Sequence, residues 1–340
     1  MSTRELNILF TCAGRRVALM QCFARAMEAL GVTGKLIASD ITAASPAFQK
    51  ADVGVLVPPA RRVEYFPVLQ DVIQKHRVGL IVPVTDLDLR SLARHRDECA
   101  AMGCTVMIGS EATITLCRDK AQTNALISKA GLATVKTITL GEFLQKPFYP
   151  CFIKPLYGSA SVGTALIRSD KHLRAHISTY GELMIVQEYV PGQEYTVDVY
   201  RSRDGQVRSV VPRQRLLVRS GEVEKGITVK DAELIRTTAV LAGKLPDIWG
   251  VFCCQCRRSG NGPVHFLEVN PRFGGGAPLT IAAGANLPLY LLQEVLGLPI
   301  TAEMSNFTDR LLMLRYDEAV FVQPGENLNN LPGSSAPGFH

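Results

Sequence analysis

Residues 7–12, Asn-Ile-Leu-Phe-Thr-Cys, form a mainly apolar run that stops at Ala13-Gly14, the pattern of a strand buried on both faces. Val17, Met20, Phe23, Met27 and Leu30 then recur at helical spacing, with Gly31 as a C-terminal stop. Apolar runs at 36–39, 53–57, 79–84 and 105–108 read as further strands, and helical patterns fall at about 64–76 and 87–101. Strand alternating with helix predicts a parallel, doubly wound α/β sheet. Such a sheet takes ligands at the carboxyl ends of its strands, which makes Gly14, Arg15, Asp40, Thr85 and Asp86 candidates by position.

The pattern changes near residue 110. Asp119 reads as the N-cap of a helix over 120–130 closed by Gly131. A short strand at 151–153 runs into Lys154-Pro155 and the small, polar loop Gly158-Ser-Ala-Ser-Val-Gly163. A strand at 184–186 is linked by 187–194 to an alternating strand at 195–200. Residues 207–218 continue an antiparallel region, with Arg213, Arg215 and Arg219 expected on one face opposite Leu216 and Val218. Residues 221–226 read as a turn carrying Glu222 and Lys225, and 231–244 as a helix. Strands at 251–256 and 264–270 flank a turn-rich stretch, and pairing as a hairpin would bring Gln255 near Glu268. A helix over 277–296 and a last apolar run at 311–322 precede a tail rich in Gly, Pro, Ser and Asn, which reads as disordered.

The stretch Val264-His-Phe-Leu-Glu-Val-Asn-Pro-Arg-Phe-Gly-Gly-Gly276 carries the most chemistry. Alternation points Glu268 and Asn270 one way and Leu267 and Val269 the other. Pro271 ends the strand and leaves Arg272 and three glycines as an irregular loop. Side-by-side oxygen ligands near an arginine suit a hard Mg²⁺ ion carrying phosphates. A buried Glu268 paired with Arg272 for structure alone is the alternative on these residues.

Composition narrows the classes. At 340 residues the chain is long enough for two or more domains. Hydrophobic residues make up 47 % and charged residues 20 %, yet no stretch approaches the about 20 apolar residues of a membrane span. The N-terminus shows no apolar segment with a cleavage site, so a cytoplasmic protein is expected. Nine cysteines include the close group Cys253, Cys254 and Cys256, but no CxxC pair recurs, so buried thiols are expected rather than a metal cluster. A net charge of +6 is spread over small basic groups, which favours a small anionic ligand over nucleic acid.

A phosphate-handling enzyme must neutralise triphosphate charge, hold a metal and cover the reaction. Lys120 and Lys154 supply compact cations, and the 158–163 loop can turn N–H groups and serine hydroxyls toward phosphates. Gln255, Glu268 and Asn270 offer oxygens for the metal, and Arg272 can take a phosphate oxygen. No G-x-x-x-x-G-K-[ST] string occurs, which excludes a Walker-type NTPase, and Thr11–Arg16 supplies only one glycine of a dinucleotide fingerprint.

At these strings the sequence resembles the ATP-grasp superfamily, and within it single-module proteins similar to half of a carbamoyl-phosphate synthetase large subunit. The resemblance covers roughly residues 5–300, through Ile153-Lys-Pro155 with Gly158–Gly163, Gln187-Glu-Tyr-Val190 with Gly192-Gln-Glu-Tyr195, and Glu268–Gly276. It implies a preATP-grasp α/β domain over 1–112, an α+β lid over 113–190, an antiparallel catalytic half over 191–322 and a tail over 323–340. It implies ATP and Mg²⁺ or Mn²⁺ as cofactors. Lys120 and Lys154 take the basic positions beside phosphate and adenine, and Gly158, Ser159, Ala160, Ser161 and Gly163 belong to the phosphate loop. Glu188, Tyr189 and Val190 belong to the adenine hinge, and Glu194 is the ribose-binding acid. Gln255, Glu268 and Asn270 are the metal ligands, with Gln255 where many relatives carry a carboxylate. Arg272 stabilises the transferring phosphoryl group.

The implied activity is a carboxylate–amine or carboxylate–thiol ligase working through an acyl phosphate, with small-molecule substrates, no nucleic acid or membrane partner, and a homodimer as one assembly. Arg213, Arg215 and Lys225 are expected to line the carboxylate pocket, because this basic face lies in the half that holds the metal. One module, with no glutaminase signature, argues against making carbamoyl phosphate alone. Two other readings stay open: an ATP-binding sensor without turnover, which would lack a metal ligand or lysine, and an NAD-type oxidoreductase, which would need the missing glycine fingerprint.

Overall fold

A computed structural model of the chain describes residues 4–156, 163–219 and 221–323. It divides into two compact units, one containing Met1–Ile108 and Leu291–Pro299, the other Gly109–Tyr290 and Ile300–Arg315.

The first unit is built on a parallel five-stranded sheet in the order Val53–Leu56, Leu36–Asp40, Asn7–Thr11, Val78–Pro83, Thr105–Val106. Ile8, Leu9 and Phe10 are fully buried, as a strand covered on both faces requires. Helix Val17–Ala29 buries Leu19, Met20, Cys22, Phe23, Ala26 and Met27, and Phe23 meets Phe10 edge-to-face at 5.0 Å. The strand order reverses at Asn7–Thr11, where an open α/β sheet forms its ligand crevice. The helical pattern over 87–101 is broken into Leu89–Arg94 and Arg96–Ala101. His95 leaves helical geometry between them and stacks on Phe66 at 3.8 Å.

The second unit contains two antiparallel sheets. The smaller runs Ala165–Ile167, Cys151–Pro155, Met184–Glu188, Thr137–Thr139. Its core joins Cys151, Ile153, Ile167, Met184 and Val186 to Leu140 and Phe143 of helix Leu140–Gln145 and Leu173 of helix Asp170–Tyr180. The larger runs His265–Asn270, Gly250–Arg258, Gln193–Arg201, Val207–Arg219, Glu222–Thr228, Leu312–Leu314. Val197, Val199, Val210, Phe252, Cys254, Cys256 and Val269 form its apolar side against Leu234 and Leu241 of helix Ala232–Lys244.

Several elements differ from the sequence expectation. Residues 221–226 are not a turn, because Glu222–Thr228 pairs with Val207–Arg219. Gly226, which suggested the turn, lies inside the strand where a β-carbon would stand 3.1 Å from Val223 and 3.3 Å from the Gln214 carbonyl. The ladder shifts register around Leu217, and Leu216 and Val218 are both exposed. The helix expected over 277–296 is two, Ala277–Ala282 and Leu287–Val295, separated by Gly284 at φ +108°. Of the apolar run at 311–322 only Leu312–Leu314 is a strand, and residues 324–340 lie outside the described residues. None of the nine cysteines is in a disulfide. Among the described residues no helix is long and apolar enough to cross a membrane.

Candidate active site

Alternation along Cys151–Pro155 sends Cys151 and Ile153 into the small-sheet core and turns Lys154 to the other face, opposite Ile185. Lys154 is 6 % exposed. Burial pushes its ammonium down to about 8, while Glu268 of the larger sheet pulls it up and Lys120 pushes it down further. Lys154 thus feels the charges of both Glu268 and Lys120. Lys120 opens the helix Lys120–Lys129 and is itself buried. Asp119 fixes that end, its Oδ1 accepting from the N–H groups of Ala121 at 2.9 Å and Gln122 at 3.0 Å.

On the polar face of the larger sheet, Gln255 and Glu268 are direct partners across the hairpin and Asn270 stands opposite Cys253. Asn270 Nδ2 donates to Glu268 Oε1 at 3.0 Å, Arg272 Nη2 approaches Asn270 Oδ1 at 3.4 Å, and Arg272 Nη1 donates to the Phe273 carbonyl at 3.0 Å. Arg215 joins the row: its Nη1 pairs with Glu194 Oε1 and lies 3.5 Å from Gln255 Oε1, and its Nη2 donates to the Gly221 carbonyl at 3.0 Å.

The remaining expected residues fall around this centre. Glu188 Oε1 accepts from the Lys136 N–H at 3.0 Å, so its side chain fastens the end of Met184–Glu188. The Tyr189 ring lies 5.6 Å from the Arg257 guanidinium, and Val190 is buried. The Gly163 carbonyl bonds His176 Nε2 at 3.0 Å, whose ring packs beside Tyr180 at 4.8 Å. Gly158, Ser159, Ala160 and Ser161 lie outside the described residues.

Two expected pocket residues are placed elsewhere. Arg213 is 1 % exposed and grips Asp198 through Nε at 2.7 Å and Nη2 at 2.8 Å, with Thr280 Oγ1 donating to the same carboxylate at 2.5 Å. Its charge is neutralised inside the sheet, so it is a structural ion pair beneath the site rather than a substrate contact. Lys225 neighbours Gly226, the ladder partner of Arg215, and so points from the opposite face; it is exposed and pairs with Leu217 and Leu314. The Asp198–Arg213–Thr280 group was missed in the sequence. Strand alternation from Glu194 through Thr196 to Asp198 was the available signal, since it places a second acid on the polar face.

Two family models match this chain: "PylC-like, N-terminal domain" over residues 8–107, and "ATP-grasp in the biosynthetic pathway with Ter operon" over residues 181–318. Residues 181–318 are thus matched as an ATP-grasp domain. It is 26 % identical over 299 residues to a formate-dependent phosphoribosylglycinamide formyltransferase of Bacteroides fragilis, covering 78 % of this chain and 72 % of that protein. It is 30 % identical over 131 residues to the D-alanine–D-alanine ligase of Thermotoga maritima, covering 35 % of this chain and 43 % of that protein. The fold is that of N5-carboxyaminoimidazole synthetase from Staphylococcus aureus solved with ADP, at TM-score 0.71 and 15 % identity over 92 % of this chain and 80 % of that one. The likeness to carbamoyl-phosphate synthetase holds only loosely, because these relatives are formyltransferases and D-alanine ligases.

The residues of this face fit a Mg²⁺ ion. Among the described residues no cluster of three His, Cys, Asp or Glu side chains stands ready for a metal, so the donors must include amides. Gln255, Glu268 and Asn270 are all hard oxygen donors on one sheet face, which is the ligand class Mg²⁺ takes. Buried Lys120 and Lys154 nearby suit the phosphates such an ion accompanies.

Proposed function

We propose that this protein joins a small organic carboxylate to an amine, with ATP driving the reaction through an acyl phosphate and ADP and phosphate released. The observation that carries the reading is the charge interaction of buried Lys154 in the smaller sheet with Glu268 in the larger, beside the oxygen donors Gln255 and Asn270. Residues 113–190 act as the lid and 191–322 as the catalytic half. Lys154 and Lys120 neutralise phosphate charge. Glu188, Tyr189 and Val190 flank adenine, and Glu194 takes the ribose.

When bound, the metal neutralises phosphate charge and orients the γ-phosphate. Arg272, held by its bond to the Phe273 carbonyl, faces the transferring group, and Arg215 orients the attacking carboxylate. The carboxylate oxygen attacks phosphorus and ADP leaves; the amine then attacks the acyl carbon and phosphate leaves. The protein's share is positioning and charge neutralisation. No nucleic acid takes part, and the protein works in the cytoplasm.

The test is ADP and phosphate release with Mg·ATP against a panel opening with formate and amino acids, the substrates named by its relatives, each with and without amines. Turnover that requires one carboxylate and one amine, and is lost in Glu268→Ala, establishes the ligase. Tight ATP binding without turnover across the panel would favour the sensor reading. Unchanged acceptor KM and kcat in Arg215→Ala would remove Arg215 from its assigned role.

A further inference from the structure

Arg257 is a cation on the site face with no part in the phosphate chemistry. Alternation along Gly250–Arg258 places it on the same side as Gln255, opposite Cys254 and Cys256, which lie in the core. Two positions put it about 7 Å along the strand from Gln255. Its ladder partner there is Glu194, at the end of the 187–194 segment. The guanidinium meets that segment twice: Nη2 donates to the Gly192 carbonyl at 2.8 Å, and the group lies 5.6 Å from the centre of the Tyr189 ring. Gly192 permits the approach, since at φ +106° it lies on the Arg258 backbone, where a β-carbon would collide with the Arg258 carbonyl. These contacts use little of the side chain. Nε is buried and has no partner among the described residues, and the Glu194 carboxylate is taken by Arg215. A buried, unpaired N–H on a charged group destabilises the free protein, a cost that is offset where a ligand uses the cation.

We propose that Arg257 recognises the base of the nucleotide, its guanidinium lying against the purine beside Tyr189. The inference rests on the ligase reading, which puts adenine at Tyr189 and Val190 and the ribose at Glu194, the neighbours of Arg257. A guanidinium is planar, weakly hydrated and stacks on aromatic rings, so it can hold a purine as a lysine ammonium cannot. Phosphate charge falls to Lys154, which feels Glu268 beyond Gln255 on the same sheet. Arg257 stands at the other end of that row, so its cation serves the nucleoside rather than the phosphates. The Gly192 carbonyl and the Tyr189 ring fix the guanidinium before the base arrives, which lowers the ordering cost of binding.

The test titrates the wild-type chain, Arg257→Met and Arg257→Lys calorimetrically with ADP, 2′-deoxy-ADP and a non-hydrolysable ATP analogue, each with Mg²⁺. Both variants are expected to bind all three about tenfold more weakly, and by one common factor, the worth of a desolvated contact between a guanidinium and an aromatic ring. Arg257→Lys keeps the charge and can still reach the Gly192 carbonyl, so it separates base recognition from a mere fastening of the 187–194 segment. Wild-type affinity in Arg257→Lys would overturn the proposal, whatever Arg257→Met does and even if that variant fails to fold. A loss larger for the ATP analogue than for ADP would make Arg257 a phosphate ligand, and a loss that vanishes with 2′-deoxy-ADP would move it to the ribose; either overturns the proposal. A wild-type chain that binds none of the three would sink the ligase reading and this inference with it, whereas a result confined to the variants leaves that reading standing.

Discussion

Gly276 lies against Arg213 so closely that a β-carbon on it would stand 2.1 Å from Arg213 Nη1. A β-carbon on Gly274 would likewise stand 3.2 Å from Arg213 Nη2 and 3.3 Å from Asp198 Oδ1. These glycines let the loop after Asn270 close over a buried guanidinium whose ion pair leaves it no freedom to withdraw. Gly276→Ala is therefore expected to destabilise the protein by about 1–3 kcal/mol, the usual cost of overpacking a filled interior. Thermal unfolding of the variant checks it; an unchanged midpoint would mean that the loop has slack.

Asp198 and Arg213 should also be coupled in the energetic sense. Removing the acid alone, as in Asp198→Ala, leaves a guanidinium stranded in the sheet and should cost about 3–5 kcal/mol. Replacing both by apolar residues, Asp198→Leu with Arg213→Met, should recover most of that loss, because no buried charge then remains. Urea unfolding of the single and double variants measures the difference, and additive losses would contradict the pairing.

The central strands of the parallel sheet are plain in the sequence, because Asn7–Thr11 and Val78–Pro83 are buried on both faces and so read as mainly apolar runs. The Gln255–Glu268 pairing was also legible, through a turn-rich break between two strands. The role of the basic strand was not. Arg213 and Arg215 look alike two positions apart, but one pairs with Asp198 under the loop and the other with Glu194 at the surface of the site. That difference is set by strands distant in sequence. Lys225 differs from the expectation for a related reason: a register shift beside Leu217 decides which face it takes, and no local pattern encodes it.

Asp119 ties helix stability to the site. Its carboxylate caps the helix whose first residue is Lys120, so Asp119→Ala should cost about 1 kcal/mol of stability and loosen that lysine. The expected kinetic signature is a raised KM for ATP with little change in kcat. A loss of stability with ATP KM untouched would detach Lys120 from the nucleotide.

Lys154 should make stability and nucleotide affinity move in opposite directions with pH. Burial holds its folded-state value down to about 8 against an ordinary 10.5, so between these values the unfolded chain keeps a proton that the folded protein has released. The unfolded state binding more protons means that stability rises as pH climbs through this window; below about 8 the folded protein bears a burden of about 3 kcal/mol for keeping a charged ammonium buried. Nucleotide binding needs that charge, so affinity for Mg·ATP should fall toward tenfold per pH unit above about 8. Lys154→Met should raise the unfolding midpoint near pH 7, weaken nucleotide binding and abolish the break in its pH profile. Calorimetric binding and thermal unfolding between pH 7 and 10 decide it; an affinity that stays level across pH 8 in the wild-type protein would show that Lys154 is not the phosphate ligand.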